Sequence, residues 1–532
     1  MSPPLLLMGI VILICIVLNR LIQRLAVPSL LIFIALGMVF GENGLFRIHF
    51  NDYQLANTIC SVCLIFIMFY GGFGTNLKAA RPVLAKSVVL STLGVALTAG
   101  LVGLFAHAAL GLPLYESLLI GAVISSTDAA SVFNILRTGH LSLKYGSASL
   151  LEVESGSNDP MSYMLTVILV SVMSGASVSV PRMLLSQVVF GVLCGVVMGK
   201  LAVLLLSRLT FSDDHGRTIL VFAVAIIAYA LPDLIGGNGY LSVYLCGILM
   251  GNASVSQKRY LIHFFDVVTG VCQVMIFFLL GLLVTPAELP AVFLPALCIM
   301  AFLTFIGRPA VVSAILLPFR SRPGQIGIVS WAGLRGVASI VFAIYAVLGG
   351  VTMTYNLFNL VFCIVLLSIA FQGTLLPWVS RRLNMIDPAE DVSKTFNDYQ
   401  EDNDVDFIKV HIADGHPWIG KSLAELALPH NLLAVMIARD GRNLVPDGQT
   451  VLADGDLLVF AARAFEDREN LSLREVPIDK GHKWNGRSLR EISTPQQTLV
   501  ILIQRGAHTM IPDGGTRIQT GDVLVLAQPG KP

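Results

Sequence analysis

The chain is poor in charge. Only 13% of its 532 residues are Asp, Glu, Lys or Arg, while 55% are hydrophobic. A soluble domain normally carries about 25% charged residues. A fully water-facing protein is therefore excluded, and lipid is the expected solvent for most of the chain. The 8 cysteines offer no disulfide framework and no metal-ligand spacing. All of them (Cys15, Cys60, Cys63, Cys194, Cys246, Cys272, Cys298, Cys363) fall in apolar stretches and read as small buried hydrophobes. No basic residue precedes Arg20, which follows the first apolar run, so no cleavable signal peptide is expected. There is no filter loop of the Thr-Val-Gly-Tyr-Gly kind, which counts against a ligand-gated cation channel. No histidine lies near the centre of an apolar span, which counts against an intramembrane hydrolase using Gly156-Ser157. No enzyme is expected.

What is present divides at residue 382. Up to that point there are 20 Lys and Arg against 12 Asp and Glu; beyond it there are 15 against 22. The first part is net basic and the last 150 residues net acidic. A membrane helix needs about 20 mostly apolar residues, fewer where it is broken inside protein. About thirteen such segments are legible, centred near residues 12, 33, 64, 96, 125, 160, 195, 224, 244, 274, 303, 337 and 367. The basic residues cluster after the odd-numbered segments: Arg20 and Arg24, Lys78 to Lys86, Arg137 and Lys144, Arg208 and Arg217, Lys258 and Arg259, Arg320 and Arg322, Arg381 and Arg382. Positive loops stay on the cytoplasmic side. The N-terminus is thus expected outside and the polar tail in the cytoplasm.

Charge inside a bilayer is costly and marks function. Four acids fall within the spans: Asp128, Glu152, Glu154 and Asp159. Arg335, Arg308 and Lys200 are the basic counterparts. Lys200 can snorkel to the membrane surface, and Arg308, before Pro309, is open to a structural ion pair or an interfacial position. Asp128 lies in Ile124-Ser125-Ser126-Thr127-Asp128-Ala129-Ala130-Ser131, where hydroxyl and carboxyl side chains compete for backbone hydrogen bonds and favour unwinding. A discontinuous helix would expose carbonyls able to hold a cation.

The second cluster is Glu152-Val153-Glu154-Ser155-Gly156-Ser157-Asn158-Asp159-Pro160. Seven residues make nearly two helical turns, so Glu152, Ser155 and Asp159 share a face, while Glu154 and Asn158 lie on a neighbouring one. Pro160 leaves a carbonyl free nearby. Glu152, nearest the cytoplasmic end, is open to being simply solvated. Arg335 sits between glycines in Gly333-Leu334-Arg335-Gly336. A buried Arg needs a carboxylate partner, and Glu154 is the expected one, leaving Asp159 to titrate. One carboxylate holds a proton or a cation but not both at full strength, and from that competition exchange follows.

These residues resemble those of the bacterial NhaP-type monovalent cation:proton antiporters, potassium/proton antiporter subgroup, related to the animal sodium/proton exchangers. The resemblance rests on Thr127-Asp128, Glu154-Ser155-Gly156-Ser157-Asn158-Asp159-Pro160, Gly333-Leu334-Arg335-Gly336, and Gly239-Tyr240-Leu241-Ser242-Val243-Tyr244 ahead of Gly247 and Gly251-Asn252. The family commonly has Pro after Thr-Asp, where this chain has Ala129. The resemblance implies a helical membrane fold of thirteen spans, with inverted repeats, two crossing broken helices and homodimers whose core domains move as elevators. It implies cation and proton binding at Asp159, with Asn158, Ser155, Glu154, Asp128 and Thr127 around it. The monovalent cation itself is expected at Asp159, Asp128, Ser155 and Thr127. Antiporters with Asn-Asp at this point resemble electroneutral ones. Exchange of K+ or Na+ for H+ in a bacterial inner membrane is the expected activity, with no nucleic-acid partner.

After an acidic linker (383–405) the tail repeats. His416-Pro417-Trp418-Ile419-Gly420-Lys421-Ser422-Leu423 matches His482-Lys483-Trp484-Asn485-Gly486-Arg487-Ser488-Leu489. Val445-Pro446-Asp447-Gly448 matches Ile511-Pro512-Asp513-Gly514, and every match is offset by 66 residues. Two homologous units, 406–465 and 472–530, therefore stand in tandem. Each reads as strand, short helix, strand and hairpin, a small α/β tail. The pattern resembles the C-terminal lobe of regulators of potassium conductance, the RCK-C or TrkA-C domain. That likeness favours K+ as the cation. No Gly-x-Gly-x-x-Gly follows a strand in the tail, which argues against NAD sensing. No cofactor is expected. Two roles stay open for the tail: taking a small regulatory ligand such as a nucleotide, or pairing units without one.

Overall fold

The computed structural model describes residues 29–386 and 405–529, together with 9, 13 and 14. Short breaks fall at 43, 49, 51, 139–140, 177–178, 210–213 and 254–257 in the first part. In the second part they fall at 413–415, 417, 427–431, 440–441, 464–470, 480–481, 493–498, 506–507, 511 and 513. The chain divides into two compact units, Met1–Glu401 and Asp402–Pro532. The segment expected near residue 12 and most of the acidic linker lie outside the described residues.

The first unit is helical. Its elements are α1 (Ser29–Phe40), α2 (Tyr53–Gly74), α3 (Leu84–Leu110), α4 (Leu114–Val123), α5 (Ala129–Thr138), α6 (Ser147–Met173) and α7 (Val180–Arg208). There follow α8 (Asp214–Leu234), α9 (Gly239–Gly251), α10 (Lys258–Leu283), α11 (Leu289–Leu316), α12 (Pro323–Trp331), α13 (Val337–Leu348) and α14 (Leu357–Arg382). Among the described residues, 7 helices are long and apolar enough to cross a membrane: α2, α3, α7, α8, α10, α11 and α14. The 27-residue α6 is as long, but it carries three carboxylates.

Two interruptions organise this unit. The α4–α5 stretch unwinds at Ser125–Asp128, and the α12–α13 stretch unwinds at Ala332–Gly336. The unwinding at Asp128 occurs with Ala129, not Pro, after it. The two breaks touch: the Asp128 N–H donates to the Leu334 carbonyl at 2.8 Å. Three wide π-helical turns lie close by, at Leu90–Gly94, Leu303–Gly307 and Ser368–Gly373. Such turns shift the register of the side chains that follow. After α14 the chain folds back, with the Lys144 N–H donating to the Met385 carbonyl at 2.9 Å. Residues 383–386 thus belong to the helical unit rather than to a solvated linker.

The second unit holds two antiparallel sheets of four strands. The first comprises β1 (Val405–His411), β2 (Leu432–Arg439), β3 (Arg442–Leu444) and β4 (Leu457–Arg463), in the order β1-β4-β2-β3. The second comprises β5 (Leu471–Pro477), β6 (Leu499–Arg505), β7 (His508–Met510) and β8 (Asp522–Pro529), in the matching order β5-β8-β6-β7. The repeat extends to details. A bulge at Ala434/Met436 recurs at Val500/Leu502. A capping box of Ser422 and Glu425 recurs as Ser488 and Glu491. Helix in the tail is limited, among the described residues, to the single turns Leu423–Glu425 and Leu489–Glu491. Among the described residues the expected α/β lobe is therefore mostly sheet.

Each sheet is locked by one buried carboxylate. Asp456 and Asp522 are fully buried and take Arg439 and Arg505 in forked pairs at 2.7 to 2.8 Å. The guanidinium beside each Asp, with a backbone N–H from Ala453 or Gln519, holds its carboxyl below the usual carboxylate range.

Candidate functional site

A break in a helix leaves carbonyls at the end of one half and N–H groups at the start of the next. Both ends of the α4–α5 break are met by charge. Arg335, 1% exposed, donates from one guanidinium nitrogen to the carbonyls of Ser125 and Ser126, each at 2.8 Å. It thereby caps the negative end of α4. Asp128 caps the positive end of α5, accepting from the Ser131 N–H at 3.1 Å and from the Ser131 hydroxyl.

Helix α6 is pinned across the first break by its polar face. The Ser155 hydroxyl donates to the Thr127 carbonyl at 2.5 Å. The Asn158 amide donates to the Thr127 hydroxyl and, at 3.3 Å, to Glu154. The Ser126 hydroxyl donates to Asp159. One turn on, the Ser162 hydroxyl reaches the Ala122 carbonyl at 2.6 Å. Asn158, Asp159, Ser155, Thr127 and Asp128 thus meet around four residues of unwound backbone.

The pairing expected between Glu154 and Arg335 is not formed. Glu154 is held by Arg308, whose two terminal nitrogens donate to its two carboxylate oxygens at 2.9 and 3.1 Å. Both partners are buried, at 1% and 5% exposure. The reason is local. Arg335 is drawn to the freed carbonyls of α4, and the π-helical turn Leu303–Gly307 immediately precedes Arg308. Gly333 makes the pairing possible, because a Cβ there would collide with the Arg308 guanidinium. Gly336 does the same for the other break: a Cβ would collide with the Asp128 carboxylate. Lys200, by contrast, lies exposed on α7, away from these groups.

A cavity of about 710 Å³ reaches this cluster. Ser126, Thr127, Asp128, Ser155 and Asp159 line it; Glu154 and Asn158 do not. The two faces of α6 therefore separate a wet group of residues from a dry, structural one. Three further lining residues, Asp266, Thr269 and Gln273, form a polar stripe on α10. Asp266 accepts from the Tyr70 hydroxyl at 2.9 Å. Asp266 is not among the four acids assigned to the spans from sequence; it lies eight residues after Lys258, near the basic end of its segment. The helical spacing of 266, 269 and 273 was the available signal. The walls from α2 and α6 belong to the halves of those helices nearer Lys78 and Lys144. On the far side of Asp159 the space is filled by rings. Tyr163 packs on Tyr240 at 4.9 Å, on Phe342 at 5.5 Å and on Tyr345 at 5.6 Å.

The arrangement is that of a secondary cation carrier: a carboxylate lining a cavity, beside a broken helix. Residues 9–382 match the family "Sodium/hydrogen exchanger, transmembrane", and residues 407–464 and 473–529 match the TrkA-C domain. The chain belongs to the sodium/hydrogen exchanger family. Among its relatives, the "K(+)/H(+) antiporter NhaP" of Alkalimonas amylolytica is 36% identical, over 83% of this chain and 78% of that protein. The "K(+)/H(+) antiporter NhaP2" of Shewanella sp. (strain ANA-3) is 33% identical, over 86% and 81%. The fold is that of the sodium proton antiporter MjNhaP1 of Methanocaldococcus jannaschii (TM-score 0.63, 20% identity, 71% of this chain and 97% of that one).

Proposed function

We propose that the protein exchanges cytoplasmic K+ for external H+, one for one and without net charge movement, with Asp159 as the carrier group. The observation that carries this reading is the position of Asp159. It lines the cavity, it is hydrogen-bonded by Ser126, and it lies beside the oxygens of Thr127, Ser155 and Asp128. These are hard oxygen ligands of the kind alkali cations take. A single carboxylate that binds either ion carries one positive charge in each half-cycle. Glu154 is outside the ligand set in this reading and holds the fold through Arg308. The names of the relatives and the paired tail units both favour K+ over Na+.

The same proposal includes thirteen spans, an external N-terminus, a cytoplasmic tail, an inner-membrane location and a homodimer. An inverted repeat is part of it. The π-helical turns Leu90-Ser91-Thr92-Leu93-Gly94 and Leu303-Thr304-Phe305-Ile306-Gly307 share a pattern 213 residues apart, and each precedes one broken helix. The tail is proposed to regulate exchange.

The test is exchange measured in everted vesicles. Asp159→Asn is expected to abolish it while the protein stays folded; substantial residual exchange rules out the carrier role. Equal responses to K+ and Na+ rule out the K+ preference. A pH and ligand profile unchanged on deleting 390–532 rules out the regulatory tail.

A further inference from the structure

Glu152 takes no part in the site described above, and it is not solvated as its position near a helix end suggested. It is 8% exposed. It lies seven positions before Asp159 on α6, about 10 Å nearer the basic loops, and it lines the same cavity. Its Oε1 makes no hydrogen bond of ordinary geometry among the described residues.

Two more oxygens surround it. Tyr244 of α9, 2% exposed, lines the cavity, and its hydroxyl too lacks a hydrogen bond of ordinary geometry. The ring lies against Gly156, where a Cβ would fall 2.5 Å from it. Gly156 lies between Glu152 and Asp159 on α6, which sets the Tyr244 ring between the two acids along that helix. The Thr75 hydroxyl adjoins both Glu152 and Tyr244. It spends its proton on the Gly71 carbonyl at 2.8 Å, which leaves its lone pairs free.

A buried carboxylate oxygen left without a partner is costly, and native structures rarely keep one without a reason. We propose that Glu152, Tyr244 and Thr75 form a second site for a monovalent cation, on the basic-loop side of Asp159. The inference rests on the reading of Asp159 as the inner cation site. One carboxylate and two neutral hydroxyls, completed by cavity water, give a weak site. Weak is what transfer requires, since a cation must enter readily and leave readily for the next position. Asp159, with Asp128 and the freed backbone beside it, is the tighter site. Glu152 therefore loads the cavity with cation before Asp159 releases its proton.

The experiment is equilibrium binding of rubidium-86 to the purified full-length protein at alkaline pH, with transport kinetics alongside. The wild type is expected to bind two Rb+ per protomer, Glu152→Gln one, Asp159→Asn one, and the double variant none. In vesicles Glu152→Gln should raise the apparent KM for K+ about tenfold, more than it lowers kcat, and Glu152→Asp should restore most of the affinity. Tyr244→Phe removes only a hydroxyl and should give a smaller rise in KM. Binding of one Rb+ by the wild type, or equal binding by wild type and Glu152→Gln, overturns the second site. A wild type binding two Rb+, with Asp159→Asn still binding two and Glu152→Gln only one, supports it and removes Asp159 as the inner site.

Discussion

Arg308 and Arg335 have the same side chain and opposite duties. Arg308 neutralises a buried carboxylate; Arg335 serves bare carbonyls. Removing one partner of a buried pair typically costs about 3–5 kcal/mol. Arg308→Ala and Glu154→Gln should each sharply reduce the thermal stability of the detergent-purified protein. Exchanging the two residues should recover part of it. Arg335→Ala should leave that pair intact and be read instead as lost exchange, because the end of α4 loses its cap. Asn158→Asp removes the donor that holds Thr127 and places a second acid beside Glu154. It is expected to lower stability and activity together, measured by unfolding temperature and vesicle exchange. The right residues were legible as isolated charges in apolar runs, but their partners were not. Glu154 and Arg308 are 154 positions apart, and the sequence reading gave the acid to Arg335 instead. Only the geometry of the break, which draws Arg335 away, decides between the two arginines.

At the scale of elements, the break at Asp128 was legible from its residues, the second break only through the family resemblance, and the π-helical turns not at all. Hydroxyls and an Asp in one apolar run advertise unwinding; glycines around an Arg advertise only a close approach. Leu90–Gly94 and Leu303–Gly307 are ordinary apolar sequence, and only packing forces the extra residue into the turn. Gly336→Ala tests the contact between the breaks. A methyl group there meets Asp128, so exchange should fall by at least about tenfold, the equivalent of roughly 1.4 kcal/mol. In the tail the repeat was legible to the residue, and the strands β2 and β6 occupy its two apolar runs. The Arg439–Asp456 pair should contribute about 2 kcal/mol as a charged hydrogen bond. Asp456→Asn is expected to speed amide exchange in β2 and β4 and to leave the second sheet unchanged. Because the Asp456 and Asp522 carboxyls are held low, their stabilising effect is complete above about pH 4 and is lost as pH falls through the depressed values. These pairs therefore do not report physiological pH changes.

For the whole molecule, a shared carboxylate predicts a specific pH law. Once Asp159 is mostly protonated, each further unit of acidification should raise the apparent KM for cation about tenfold and leave the maximal rate nearly constant. Vesicle exchange measured over a matrix of pH and cation concentration checks this. A maximal rate that falls while KM holds would instead indicate independent proton and cation sites. The packed rings beyond Asp159 bear on a different property. Tyr163 and Tyr345 are carried with α6 and α13, Tyr240 with α9, and together with Phe342 they seal the route on one side. A carrier driven by a proton gradient must not short-circuit it. A seal of edge-packed and tilted rings leaves no room for a continuous file of water, so protons cross only as passengers on the carboxylate. The coupling between the two ions is thus as tight as the packing of these aromatic side chains.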